Sequence, residues 1–495
     1  MTSIRRSIFF SGVERYGSLL LFIFSTAVLS RLLTPVEFGT YAVASAVVTV
    51  ISASFQEFGG ANYLMQKKTL SEENIRAAFT ITFGISLLLG VAFFSCSDAF
   101  AWFFRQEGLR AAIAVSALSF VATPFSVVIS ALFRRDMEFG KLAICSLVAN
   151  VVSIAVAIVL AVLHYSFMAP IWGAVAGNIV LAFLLIRLCK NRRIFRFSLS
   201  EYPDVLRFGL YSGGVSIINV FYNLAPQIFL GRVLDFAAVG LYSNAVGIAR
   251  VFDRLVGQVL SPVILPAIVA QNKTGGDLKR IYLDAMGLLS AVHWPFLAFL
   301  AIMAQPIVSL WLGATWLEVV PLARMMCIGY LALFVACLTY PVLVAIGSVR
   351  DALIASAISL PPSLLLIFVT SFMGVHAVAA SAMLTCPFQA AVAIYFIGRH
   401  LDISLLDVFR STFKSGIIAL VSSGASAVCA AMVEYGFMRP VWGLALAFIS
   451  ASICWLLTVV VTEHPLLPRL QQSATGLFRF LNSPSRAGRG SIESH

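Results

Sequence analysis

LAICSLVANVVSIAVAIVLAVL, residues 142–163, carries no charge in its whole length, and its only hydroxyl or amide side chains are Ser146, Asn150 and Ser153. A bilayer's hydrocarbon core is roughly 30 Å thick and takes about 20 helical residues to cross. Lipid offers no hydrogen bonds, so every backbone N–H and C=O must be satisfied within the segment, which leaves helices and closed barrels. The run is continuously apolar rather than alternating, and this selects a helix. Stretches of the same kind recur at 12–33, 38–59, 77–98, 111–132, 167–187, 208–230, 237–261, 282–303, 319–342, 352–372, 375–397, 414–434 and 440–461. With 60% hydrophobic and 11% charged residues, the composition lies far from the soluble range. The expected fold class is an all-α polytopic membrane protein of about 14 transmembrane helices.

Arg5 and Arg6 precede the first apolar run, which is too long for a signal-peptide core and reads as a retained span. With the N-terminus placed in the cytoplasm, 25 of the 34 Lys and Arg fall in cytoplasmic segments. Arg31, Arg105, Arg110, Arg232 and Arg439 fall outside, and Arg15, Arg250, Arg254 and Arg324 lie within spans. This bias obeys the positive-inside rule, predicts two cytoplasmic termini and an even span count, and accounts for the net charge of +12 without invoking nucleic acid. The plasma membrane of a bacterium, the inner one where there are two, is the expected location.

Two segments match at an offset of 201 residues: Leu29-Ser-Arg31-Leu-Leu33-Thr-Pro-Val-Glu-Phe-Gly39-Thr-Tyr41 and Leu230-Gly-Arg232-Val-Leu234-Asp-Phe-Ala-Ala-Val-Gly240-Leu-Tyr242. The shared frame is L-x-R-x-L-x5-G-x-Y. Six spans separate the copies, which keeps orientation, so the halves are expected to be related by an axis along the membrane normal. The expected layout is an N-terminal six-helix bundle (1–187), a basic cytoplasmic linker (188–207), a C-terminal six-helix bundle (208–397), two added helices (398–465) and a disordered cytoplasmic tail (466–495). Two pseudo-symmetric bundles with a cavity between them are a transporter plan.

Ionisable groups inside a membrane are costly and by default face a cavity or a partner. Arg250, Asp253 and Arg254 on the eighth span are spaced to share one helical face. They read either as a cationic wall for an anionic, phosphate-bearing substrate or as a structural Arg250–Asp253 ion pair with Arg254 on a carbonyl. Asp253 either steadies the guanidinium groups or carries a coupling proton or ion. Glu14 and Arg15 open the first span, and Arg324 lies a little inside the tenth; snorkelling and a cavity role both suit them. Asn219, Asn223 and Gln227 form an i, i+4, i+8 stripe that, with Asn244, suits either sugar hydroxyls or helix–helix hydrogen bonds.

No Walker A, HExxH or GxSxG signature is present, and no catalytic residues are expected. The six His and eight Cys show no metal-ligand spacing, so neither a metal nor another cofactor is expected. Without an ATP site, any work comes from an H+ or Na+ gradient, the membrane potential or mass action.

The stretch Leu29–Tyr41, then Phe58-Gly59, Gln66-Lys67-Lys68 and Leu70-Ser71-Glu72-Glu73-Asn74-Ile75-Arg76-Ala77-Ala78-Phe79, resembles the opening of Wzx-type oligosaccharide flippases. These belong to the multidrug/oligosaccharidyl-lipid/polysaccharide exporter superfamily, and within it the chain looks most like flippases of succinoglycan-type acidic exopolysaccharides. The resemblance implies a MATE-like fold of two six-helix bundles. It implies a lipid-linked substrate, an oligosaccharide repeat unit on undecaprenyl pyrophosphate, moved from the cytoplasmic to the periplasmic leaflet. It also implies that cavity cations, here Arg250 and Arg254 with Arg15, meet the pyrophosphate, and that a polysaccharide polymerase and a chain-length regulator act downstream. The competing readings are an ion-coupled drug antiporter, a membrane polymerase or ligase, and a non-transporting assembly scaffold. An antiporter for cations calls for an acidic or aromatic cavity, and a polymerase for a large external loop.

Overall fold

Ser71-Glu72-Glu73-Asn74 is a helix start written in side chains. In the computed structural model Ser71 Oγ accepts from the Asn74 backbone N–H and Asn74 Oδ1 accepts from the Ser71 N–H, both at 3.1 Å. This reciprocal capping box satisfies two N–H groups that the first turn leaves orphaned. Glu72 and Glu73 place negative charge at the positive end of the helix dipole. Ser71→Ala should therefore lower unfolding stability by about 1 kcal/mol, measurable as a lower thermal midpoint in detergent.

The structure describes residues 2–58, 61–67, 70–189, 191–198, 220–257, 277–335, 342–343, 346, 348–469 and 471. Among these there is no strand. The helices are α1 Thr2–Leu32, α2 Pro35–Phe58, α3 Ala61–Gln66, α4 Glu72–Ser95, α5 Ser97–Phe104, α6 Gly108–Ser116, α7 Ser119–Arg135, α8 Phe139–Val162 and α9 Met168–Leu188. They continue with α10 (220–233), α11 Phe236–Ala249, α12 Leu278–Ile302, α13 Ala304–Trp311, α14 Val319–Tyr330, α15 Val349–Ser371, α16 Val375–Leu401, α17 Leu405–Glu434 and α18 Pro440–Val461. Eleven segments are long and apolar enough to cross a membrane. The shorter apolar α11 and α14 occupy the expected eighth and tenth spans, and α10 is the described part of the seventh. Each of the fourteen expected spans thus holds a helix, and the protein is a multi-pass membrane protein.

Three short helices, α3, α5 and α13, lie where the sequence suggested only breaks, and the last two correspond to each other. α5 follows α4 and α13 follows α12, with Ala304 207 residues after Ser97. Each is followed by a left-handed residue that turns the chain into the next span, Arg105 (φ 55°) after α5 and Gly313 (φ 106°) after α13.

The described residues group into two compact units, each gathered from separate stretches of chain. One takes Met1–Ile264, Ala304–Tyr330 and Leu353–Gln389, and the other Leu265–Met303, Leu331–Ala352 and Ala390–His495. In the second unit α12, α17 and α18 pack together, tied by Ser290 Oγ donating to Ser415 Oγ (2.9 Å) and Trp455 Nε1 donating to the Ala291 carbonyl (2.7 Å).

The 201-residue repeat lies in the first unit, and its positions have separate jobs. Thr34 and Asp235 are N-caps. Thr34 exchanges hydrogen bonds with Glu37, and Asp235 Oδ1 accepts from the Ala238 N–H at 2.7 Å. Gly39 and Gly240 mark where α2 and α11 cross. A Cβ on Gly39 would run into the Phe236 carbonyl, with Gly240 N only 3.0 Å away. A Cβ on Gly240 would run into the Pro35 carbonyl, with Gly39 N at 3.3 Å. Phe236 is Pro35 shifted by 201, so the two contacts are one contact related by a pseudo-twofold axis. The arginines are reciprocal too. Arg31 Nη2 donates to the Leu310 carbonyl of α13 at 2.7 Å, and the Arg232 guanidinium lies 5.3 Å from the Phe103 ring centre on α5. Trp311 and Trp316 reinforce the first of these, donating to the Ile23 and Ser30 carbonyls of α1.

Candidate functional site

Glu14, Arg15, Ser18 and Phe22 fall at i, i+1, i+4 and i+8 of α1, close enough to one face to line a wall together. Packing against α8 fixes that wall. Gly17 leaves room for Leu147, whose Cδ2 would stand 2.8 Å from a Cβ there, and Asn150 Nδ2 donates to Ser18 Oγ at 3.1 Å. The wall borders a cavity of about 630 Å³ completed by Arg134 at the end of α7, Phe139 and Leu142 of α8, and Arg254. Three guanidinium groups against one carboxylate make the cavity cationic.

Arg254 lies where the helix changes pitch. α11 closes at Arg250, and residues Asp253–Gly257 form a π turn with i→i+5 bonding. Arg250 and Arg254 stay one α turn apart, the Arg254 N–H donating to the Arg250 carbonyl at 3.2 Å, and the wider turn begins at Asp253. The Arg254 guanidinium lies 3.7 Å from the Phe22 ring centre, a cation–π contact worth roughly 0.5–2 kcal/mol. Arg250 donates from Nη2 to Asn223 Oδ1 at 2.6 Å and lies 5.8 Å from the Tyr330 ring centre. Asp253 stands near enough to feel the charge of Arg250 but forms no ion pair with it, so the alternative of a structural Arg250–Asp253 pair is not found.

The remaining expected residues divide. Arg15 and Glu14 line the cavity with Arg254. Arg324 is exposed on α14 and is not among the cavity's lining residues. Asn223 meets Arg250, Gln227 is half-buried on α10, and Asn244 is buried with Nδ2 unpartnered. Asn219 lies outside the described residues. Sequence reasoning missed Arg134, because the topology rule had already counted it as a loop charge, and Phe22, because an aromatic in an apolar run carries no signal. Its spacing from Arg15, seven residues or two helical turns, was the available clue.

A family model described as "Polysaccharide biosynthesis protein" matches residues 28–321. The chain is 23% identical over 305 residues to the lipopolysaccharide biosynthesis protein WzxC of Escherichia coli K12, a match spanning 61% of each protein. It is 24% identical over 239 residues to the succinoglycan biosynthesis transport protein ExoT of Rhizobium meliloti, spanning 47% of each. The chain thus matches less than two thirds of the length of either relative. Among solved structures, the lipid II flippase MurJ in an inward closed conformation superposes with a TM-score of 0.75 at 15% identity, covering 93% of this chain and 100% of that one. An inward-facing multidrug MATE transporter gives 0.58 at 14%, covering 79% and 94%. These likenesses place the fold among MurJ- and MATE-like membrane bundles.

Proposed function

The chain belongs to the polysaccharide biosynthesis protein family, and on that premise we propose that it flips lipid-linked oligosaccharide repeat units from the cytoplasmic to the periplasmic leaflet. The observation that carries the reading is the cationic cavity. Arg15, Arg134 and Arg254 offer planar, bidentate donors suited to a diphosphate, and an apolar lining would shelter the charge-neutralised head group. Undecaprenyl pyrophosphate is the carrier that fits this chemistry, and alternating access through the cavity is the mechanism. The name of ExoT, a transport protein, supports transport rather than catalysis. The positive-inside bias supports two cytoplasmic termini, and the setting that fits this function is the inner membrane, upstream of a polymerase and a chain-length regulator.

The test uses a strain from which the gene is deleted. Complete repeat units on lipid diphosphate should accumulate in the cytoplasmic leaflet while secreted polysaccharide is lost. Single units accumulating in the periplasmic leaflet would place the defect after flipping and refute the reading.

Asp253, close to Arg250 and unpaired, is the carboxylate placed to carry a coupling proton or sodium ion. In proteoliposomes, an inward H+ or Na+ gradient should speed translocation at least several-fold, and Asp253→Asn should remove that stimulation. Equal rates with and without both gradients would rule coupling out.

A further inference from the structure

We infer that a second cavity, between α5 and the end of α10, binds the phosphate of a lipid head group at the membrane–water boundary. It is separate from the cavity of Arg15, Arg134 and Arg254, and the inference does not rest on the flippase reading.

The cavity has a volume of about 390 Å³, and Trp102, Phe103, Arg105, Gln106, Glu107 and Arg232 line it. All six belong to the same compact unit. Among the described residues, neither the Arg105 nor the Arg232 guanidinium donates a hydrogen bond or forms an ion pair. Glu107 lines the same cavity and pairs with neither, so two cations stand against one carboxylate. Guanidinium N–H groups only donate, and what the cavity lacks is an oxyanion to accept from them.

Exposed arginines are ordinarily satisfied by water, and three observations set these two apart. The first is topological. Only five of the 34 Lys and Arg fall in the segments expected outside, where the positive-inside rule disfavours them. Arg31 donates to the Leu310 carbonyl, Arg110 pairs with Asp98 at 2.9 Å, and Arg439 precedes α18. The remaining two, from distant parts of the chain, converge on one cavity.

The second observation is the pseudo-twofold counterpart, which is closed. There Arg31 is satisfied by the Leu310 carbonyl, and Trp311 and Trp316 donate to carbonyls of α1. Phe103 is the counterpart of Leu310 at the 207-residue offset of α5 and α13. Arg232 takes the ring of Phe103 rather than a carbonyl, which leaves its N–H fork unused. The turn after α5 also holds Arg105 at φ 55° where the turn after α13 holds Gly313. That conformation is strained for residues other than glycine, so the Arg105 side chain is held there against a conformational cost.

The third observation is depth. Trp102 is 82% exposed and Phe103 45% exposed. Exposed aromatic rings of membrane proteins collect at the boundary between hydrocarbon and water. α5 directly follows α4, which is long and apolar enough to cross a membrane, so the cavity opens at head-group level. The oxyanion of that level is a lipid phosphate, and the planar fork of arginine matches it. A bilayer phospholipid and a diphosphate-linked carrier share this group, and the experiment separates them.

Native mass spectrometry of the purified full-length protein measures binding of three probes. They are dioleoyl phosphatidylglycerol, dioleoylglycerol (the same chains without the phosphate) and a short polyprenyl diphosphate. Wild type should bind phosphatidylglycerol about tenfold or more tightly than dioleoylglycerol, the scale of one charge-assisted hydrogen bond. Arg105→Gln together with Arg232→Gln should bring that ratio close to one. Arg105→Gln alone removes no contact within the protein, so it should lower the ratio several-fold without moving the thermal midpoint. Arg110→Gln, at an outer arginine that lines neither cavity, should leave it unchanged. The polyprenyl diphosphate is measured in protein carrying Arg254→Gln, which weakens the other cavity. If its binding falls on adding Arg105→Gln and Arg232→Gln, the site receives a diphosphate-linked carrier; if only phosphatidylglycerol responds, the site holds a bilayer lipid. Either result upholds the inference. No response of either phosphate-bearing lipid to the double substitution, or an equal response to Arg110→Gln, would overturn it and leave the flippase reading standing, since that reading rests on the other cavity.

Discussion

Gly39→Ala should destabilise the protein by about 3 kcal/mol or more, a large effect for one methyl group, because the added Cβ meets backbone. The Phe236 carbonyl cannot swing aside as a side chain does, so α2 and α11 must separate along their crossing. Gly240→Ala should cost a similar amount through the Pro35 carbonyl. The double variant should cost much less than the sum, since the second Cβ enters space that the first has already opened. Thermal unfolding in detergent measures all three, and strict additivity would show that the two glycines do not share one crossing.

Arg254→Glu should reduce translocation of lipid-linked oligosaccharide roughly 100-fold or more in reconstituted vesicles. A charge-assisted hydrogen bond contributes about 1.5–3 kcal/mol, and reversing the charge adds repulsion to its loss. Arg254→Lys keeps the charge but gives up the planar fork and its face-on contact with Phe22, so an intermediate rate is expected. If Arg254→Glu transports at the wild-type rate while folded and inserted, the cationic cavity is not the path.

The spans were legible because hydropathy and the positive-inside bias act residue by residue along the chain. The repeat was legible as a pattern but not as a mechanism. Nothing in L-x-R-x-L-x5-G-x-Y says that its Thr and Asp cap helices, that its two glycines meet each other, or that each arginine reaches across to the other half. Those are facts of pairing, and spacing within one copy cannot reveal them. The site was half legible. Intramembrane charge singled out Arg15, Glu14 and Arg254, which the fold gathers around one cavity. The π turn at Asp253–Gly257 was not legible, because spacing arguments assume 3.6 residues per turn throughout. α5 and α13 were overlooked because eight apolar residues beside a long span look like the span's own end.

The reciprocal arginines also carry a consequence for symmetry. Arg31 holds α13 and Arg232 lies on α5, so each repeat supplies the residue that secures the other's short helix. A single repeat could satisfy those contacts only by meeting a second copy of itself, the same patch facing the same patch about a twofold axis. Within one polypeptide the two copies of the repeat thus pair as the subunits of a twofold dimer pair.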